Sequence, residues 1–248
     1  PPEEKAKRLA EYVKATKHIM NEAGIADADY NLETFDEPDP KRHAEIIAAH
    51  KAAKTAYPGV KLTLTMGAHR TAIDFFRKVA DYTDSWVLWD GYYFQAKENL
   101  DFNAEQIAKG KKVWHYTCST SPRTPLYREY RLHAWFGERY GLSGNQIFWF
   151  QDCMGGYGPP DFKVCTFGGL VYRNFGNTIP SIRYMNLRQG VQDVKYLDKL
   201  REVAGDREEV RDFLKEAVRK VWVTEMHDQT APDRMREQAA ELILKYAR

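Results

Sequence analysis

Tyr30-Asn31-Leu32-Glu33-Thr34-Phe35-Asp36-Glu37-Pro38-Asp39-Pro40 puts two adjacent acids where a strand pattern gives way to a helix pattern. Carboxylates at such a junction either cap the helix or do chemistry. Asp39-Pro40 already offers an N-cap and a first helical residue, which leaves Asp36 and Glu37 without a capping duty. In parallel α/β sheets ligands lie beyond the carboxyl ends of the strands, and the pair stands at such an end. Spacing alone leaves a second reading open, in which both are solvated loop acids.

Outward from this junction the chain alternates. Leu9, Tyr12, Val13, Ile19 and Met20 recur near a helical period and predict a helix over 3–23, with Gly24 as its stop. Tyr30–Phe35 reads as strand, and 40–57 as a helix closed by Pro58-Gly59. Val60–Met66 alternates apolar and polar residues as a strand does. A helix over 70–82, strands over Ser85–Trp89 and Lys112–Cys118, a short helix over Ala104–Lys109, a helix over Tyr127–Tyr140 and a strand over Gln146–Gln151 follow. A strand and its crossover helix recurring at roughly 25 to 35 residues force parallel pairing with right-handed crossovers. After a glycine-rich loop and an extended piece at Leu170–Arg173, helices are predicted over 181–203, 206–222 and 232–247. The fold class is thus α/β: an incomplete (β/α)8 barrel or open sheet of about five parallel strands with crossover helices, plus a C-terminal helical tail. Residues 1–178 form the partial barrel and 179–248 the helices packed on the same domain.

Composition narrows the function classes. The 248 residues are 43% hydrophobic, enough for one large core. Lys and Arg number 37 against 35 acids, for a net charge of +2, and no basic block with interleaved aromatics suggests nucleic acid. No apolar run approaches the roughly 20 residues of a membrane span, and no signal peptide precedes Pro1. Cys118, Cys153 and Cys165 lack metal-ligand spacing, and no HxH or HExxH pattern joins His43, His50, His69 or His115, so no metal or other cofactor is implied.

Three stretches together resemble the catalytic region of the family 123 glycoside hydrolases and the related uncharacterised barrel proteins. They are Phe35-Asp36-Glu37-Pro38, Val113-Trp114-His115-Tyr116-Thr117-Cys118, and the run from Gly169-Leu170-Val171-Tyr172 through Ile179-Pro180-Ser181-Ile182-Arg183 to Gly190-Val191-Gln192-Asp193-Val194-Lys195-Tyr196-Leu197. The resemblance implies a β-N-acetylhexosaminidase-like glycosidase acting on amino-sugar glycans by a substrate-assisted retaining mechanism, in an extracellular or periplasmic setting. It makes the present strands the fourth to eighth of a barrel, whose first three would come from a missing N-terminal segment or a second chain. A non-catalytic glycan-binding or structural domain that keeps the fold is the alternative.

The chemistry fits an adjacent pair. Opposed catalytic carboxyls flank the scissile bond at about 5–5.5 Å for retention and 6.5–9.5 Å for inversion, whereas neighbours on an extended backbone point to opposite faces and address different parts of one sugar. Substrate-assisted hydrolysis uses that division. By resemblance, Asp36 orients the 2-acetamido group and Glu37 is the general acid, which requires Glu37 to hold its proton, through apolar surroundings or the neighbouring Asp36 charge. Trp89, Tyr92, Tyr93, Trp114, Tyr116 and Trp149 fall near strand C-termini, where aromatic faces stack on sugars. Core packing is the competing role for each, with Trp114 and Tyr116 favoured by their place in the resembling stretch. Asp90 is a sugar-hydroxyl ligand or a turn residue before Gly91. Arg183 and Arg188 read as structural ion-pair donors, with Asp193 as the acid.

Overall fold

The computed structural model describes residues 2–67, 73–91, 93–118, 125–147, 169–174 and 177–247. The chain divides into two compact units, Pro1–Thr117 with Leu142–Gln146, and Cys118–Gly141 with Ile147–Arg248.

The first unit opens with α1 (Pro2–Glu22), and Gly24 ends it at a φ of 72°. Five strands alternate with helices and form one parallel sheet in sequence order: β1 (Leu32–Asp36), β2 (Leu62–Met66), β3 (Ser85–Trp89), β4 (Lys112–Thr117) and β5 (Gly144–Ile147). This is the barrel-like α/β arrangement that the strand and helix periods predict. Between the strands run α2 (His43–Ala56), α3 (Ile73–Val79) and α4 (Lys97–Ala108). Asp39 does cap: its side chain accepts from Lys41 N at 2.8 Å, with Pro40 opening the short 3-10 turn before α2.

Register sorts the sheet into two faces. Trp86 is opposite Leu64 and Val113, and Leu88 opposite Met66 and His115, so these residues share one face. Helices cover that face: Trp86 meets Phe76 of α3 and Phe102 of α4 edge-on, each at 5.3 Å, and Leu32 and Leu62 pack with Val13 and Ala53 from α1 and α2. Edge-to-face ring pairs of this kind add about 0.5–1.5 kcal/mol each beyond the area they bury. The opposite face carries Thr63, Thr65, Ser85, Val87, Trp89, Trp114 and Tyr116. Every residue of β2 is buried, its threonines included, as expected of a parallel strand enclosed on both sides.

α4 is twice the length the sequence suggests, beginning at Lys97 rather than Ala104. Its buried positions include Asn103 and Gln106, which interrupt the apolar period, while Lys97 and Asp101 pair at 2.5 Å one turn apart on its exposed side. The strand predicted over Gln146–Gln151 is described only as β5, and 148–151 lie outside the described residues.

The second unit is built on helices. A π-helical turn over Tyr127–Arg131 leads into α5 (Leu132–Tyr140), capped by Gly141 at a φ of 64°. A short antiparallel pair, β6 (Val171–Asn174) and β7 (Asn177–Pro180), precedes α6 (Ile182–Ala204), α7 (Glu208–Arg219) and α8 (Ala231–Tyr246). β7 went unread in the sequence because its four residues are all exposed and show no apolar alternation. Ser181 caps α6, accepting from the amides of Arg183 and Tyr184 at 3.1 and 3.3 Å. Leu132, Trp135, Leu197, Leu200, Val210, Val221 and Met235 form the core between these helices.

Asp193 is an ion-pair acid, but its partners are not Arg183 and Arg188. It is fully buried and takes Arg131 at 3.0 Å and Arg236 at 2.7 Å, with the Trp135 indole N–H donating at 3.2 Å. Arg188 and Asp193 are five apart on one helix and so do not face each other, whereas pairs three or four apart do. Arg183 instead donates to the Tyr172 hydroxyl at 3.2 Å. Gly190 makes the arrangement possible: a Cβ there would stand 3.0 Å from the carbonyl carbon of Arg131, so only glycine lets α6 approach closely enough for Asp193, less than a turn later, to reach the guanidinium.

Candidate active site

The carboxyl edge of the sheet in the first unit gathers Asp36 and Glu37 from β1, Gly67 after β2, Trp89 and Asp90 from β3, and Tyr116 from β4. A β-bulge decides what Asp36 faces. Leu32 pairs with Leu62 and Glu33 with Thr63, but Phe35, not Thr34, is opposite Leu64, and Asp36 is opposite Thr65. Thr34 is the extra residue. Simple alternation would put Asp36 with Leu32 on the helix-covered face. The bulge reverses this, placing Phe35 on the helix side and Asp36 on the opposite face with Thr65, Trp89 and Tyr116.

Glu37 follows with a φ of 41°, the one positive φ at a non-glycine among the described residues. A left-handed glutamate costs on the order of 1 kcal/mol and is found where surroundings hold it. Here the Glu37 amide donates to Thr65 O at 3.1 Å, and the Tyr116 hydroxyl donates to Glu37 Oε1. The side chain thus crosses Gly67 on its way from the end of β1 to the end of β4. A Cβ at Gly67 would stand 2.6 Å from Glu37 Oε2 and 2.8 Å from Cγ, which bare glycine avoids. The bulge and the left-handed turn thus bring both acids to the Tyr116 side of the sheet, whereas alternation along an extended strand would send neighbours to opposite faces. Both are exposed, so apolar side chains do not enclose Glu37.

Trp89 ends β3, and its ring lies against Gly91, where a Cβ would come within 2.6 Å of Cζ2. The Asp90 amide donates to Tyr116 O at 2.9 Å, joining the ends of β3 and β4. Trp114 lies on the same face as Trp89 and Tyr116, with its indole over Gly144 of β5 at 3.0 Å from the position of a Cβ. Tyr93 goes elsewhere. It is buried in the helix-side aromatic core against Phe76 and Phe94, and its hydroxyl donates to Asn103 at 3.0 Å. Burial drives the Tyr93 hydroxyl far above the usual tyrosine range. Tyr92 and Trp149 lie outside the described residues, as does His69.

Four contributors escape a reading by motif. Glu33 accepts from the Thr65 hydroxyl and shares the face of Asp36, so a third carboxylate leans toward the pair. Gly67 and Gly91 give Glu37 and Trp89 their places, and the signal for both was a glycine within two residues of a strand end. His50 reaches the bulge from α2: its Nε2 is 2.6 Å from the Thr34 hydroxyl, which also bonds Thr63 O at 3.1 Å. No alternating pattern announces that contact, because it depends on the bulge. Compared with known proteins, the chain matches no family model and none of the curated proteins.

Proposed function

We propose that this chain carries the acid-bearing part of a glycoside hydrolase of the family 123 type, acting on β-linked N-acetylhexosaminides with retention of configuration. The single observation that carries the reading is the path of Glu37, held in a left-handed turn, laid over Gly67 and met by the Tyr116 hydroxyl, beside an Asp36 that a bulge turns onto the same face. A strained acid at the carboxyl edge of a parallel sheet is where catalytic groups concentrate.

In this reading the acetamido oxygen of the substrate attacks the anomeric carbon while the bond from that carbon to the leaving oxygen breaks. Glu37 gives its proton to the leaving oxygen, and Asp36 faces the positive charge that develops on the acetamido group. Tyr116 already donates to Oε1, so the transferable proton sits on Oε2, the oxygen above Gly67. Water then attacks the anomeric carbon, reopens the oxazolinium ring and returns a proton to Glu37. Trp89 offers a ring at the same edge for the apolar face of the sugar. The reading also makes β1 the fourth strand of a barrel, its outer edge paired by three strands from an upstream segment or another chain, since unpaired edges seek partners.

The experiment is a screen of this chain, and of the longest product of its reading frame, on aryl N-acetylhexosaminides with the anomeric product followed by NMR. Retained β-product from either supports the reading. Sugar binding without hydrolysis by both gives the site to a glycan-binding domain.

A further inference from the structure

We infer that His50 is a positioning residue for Asp36, acting through Thr34 to pin the bulge in β1; this rests on the reading of Asp36 as a catalytic carboxylate. The bulge is the feature that delivers Asp36 to the face shared by Trp89 and Tyr116, and its extra residue, Thr34, is the one an unassisted strand would reabsorb into register. One slip by a single residue would pair Thr34 with Leu64 and carry Asp36 to the face covered by helices.

Two bonds oppose that slip. The Thr34 hydroxyl donates to Thr63 O on β2 at 3.1 Å, and the His50 ring stands 2.6 Å away from the same oxygen. Nε2 of His50 shares a hydrogen bond with the Thr34 hydroxyl and Nδ1 one with the Thr83 hydroxyl at 3.0 Å, and Thr83 is itself anchored by donating to Val79 O at 3.1 Å. The imidazole is fully buried on α2, with Phe35, the next residue of the bulge, at 6.0 Å between ring centroids. The charged groups that act on it are Asp84 and Lys54, which pair with each other at 2.7 Å. Burial keeps His50 neutral at ordinary pH, with its pKa down at about 4. A buried histidine with both nitrogens committed to threonines on separate elements is placed to hold geometry, since its hydrogen bonds hold only if the bulge is formed.

The test reads the bulge directly. The Glu37 amide, bonded to Thr65 O just past the bulge, is followed by native-state hydrogen exchange in the wild-type chain and in Thr34→Val, His50→Leu, His50→Gln, Thr34→Ser and Phe102→Leu. Thr34→Val and His50→Leu should speed exchange by about tenfold or more, a local opening rather than a global one. Thr34→Ser keeps the hydroxyl, and His50→Gln keeps an N–H donor, so both should exchange more slowly than those two. Phe102→Leu lowers stability through the aromatic core and should leave the Glu37 amide as in the wild type. Where hydrolysis is measurable, Thr34→Val and His50→Leu should lower kcat by about 100-fold with KM nearly unchanged, as for a misplaced catalytic group. Wild-type exchange in both Thr34→Val and His50→Leu overturns the inference, and so does equal loosening in Phe102→Leu. A wild-type chain and a longest reading-frame product that both hydrolyse nothing, while these two variants loosen the bulge, sink the glycosidase reading alone.

Discussion

The Glu37 side chain lies directly over Gly67, with Oε2 2.6 Å and Cγ 2.8 Å from where a Cβ would stand. Contact that close leaves no room for a methyl group, so Gly67→Ala must push the carboxylate off its path toward Tyr116. The expected outcome is a fall in kcat of about 10²-fold, since displacing a catalytic group by about 1 Å costs that much, with the sheet still formed. Steady-state kinetics and circular dichroism on the variant check it. Full activity would mean that the path of Glu37 is irrelevant to turnover.

Tyr116→Phe removes the hydroxyl that donates to Glu37 Oε1 and keeps the ring. Glu37 becomes a carboxylate as it gives up its proton, and a hydrogen bond to a charged group is worth about 1.5–3 kcal/mol, so kcat should fall by about 10- to 100-fold. KM should change little if the hydroxyl serves the acid, and should rise instead if Tyr116 mainly grips the sugar. The ratio of the two effects, read on one aryl glycoside, separates these roles.

Stability should depend on His50 in a defined pH window. Burial holds its folded pKa down to about 4, against an ordinary value of 6.5, with the Tyr82 backbone and Asp84 opposing the shift and Lys54 adding to it. A depressed histidine binds fewer protons when folded than when unfolded, so its contribution is complete above pH 6.5 and lost as pH falls through about 4. The loss is about 3 kcal/mol. Urea unfolding across that range should show a steeper decline for the wild type than for His50→Gln, and parallel curves would contradict the assignment.

Asp193 is a test of the second unit alone. Asp193→Asn leaves Arg131 and Arg236 facing a neutral amide in a buried setting. Burial penalises the Arg131 guanidinium, and its bonds to Asp233 and Asp193 more than offset this and keep it charged. Breaking one member of such a cluster costs about 3–5 kcal/mol. A loss below about 1 kcal/mol on urea unfolding would show that Asp233 suffices.

The strand and helix order was legible because parallel strands are apolar runs with regular spacing, and β3 falls on Ser85–Trp89 as read. Asp36 and Glu37 were legible as a pair because Asp39 took the capping duty that would have explained them. What could not be read is how they are aimed. Alternation assigns Asp36 to the wrong face unless the bulge at Thr34 is known, and the bulge's partner His50 lies sixteen residues on. The start of α4 escaped for a related reason: Asn103 and Gln106 are buried polar residues that break the apolar period. Asp193 was recognised as an ion-pair acid, but its partners Arg131 and Arg236 come from other elements, which spacing along α6 cannot reveal.

The central claim is the division of labour between the two acids, and leaving-group dependence tests it most directly. Glu37→Gln and Asp36→Asn are assayed beside the wild type on an activated aryl N-acetylhexosaminide and on one with a poor leaving group, using the longest active product of the reading frame. Glu37→Gln lacks the proton donor, so it should slow the poor leaving group far more than the activated one. Asp36→Asn lacks the charge that faces the oxazolinium, so both substrates should slow together, by roughly 10²–10⁴-fold. Equal leaving-group dependence in the two variants, or full activity in both, would contradict the account.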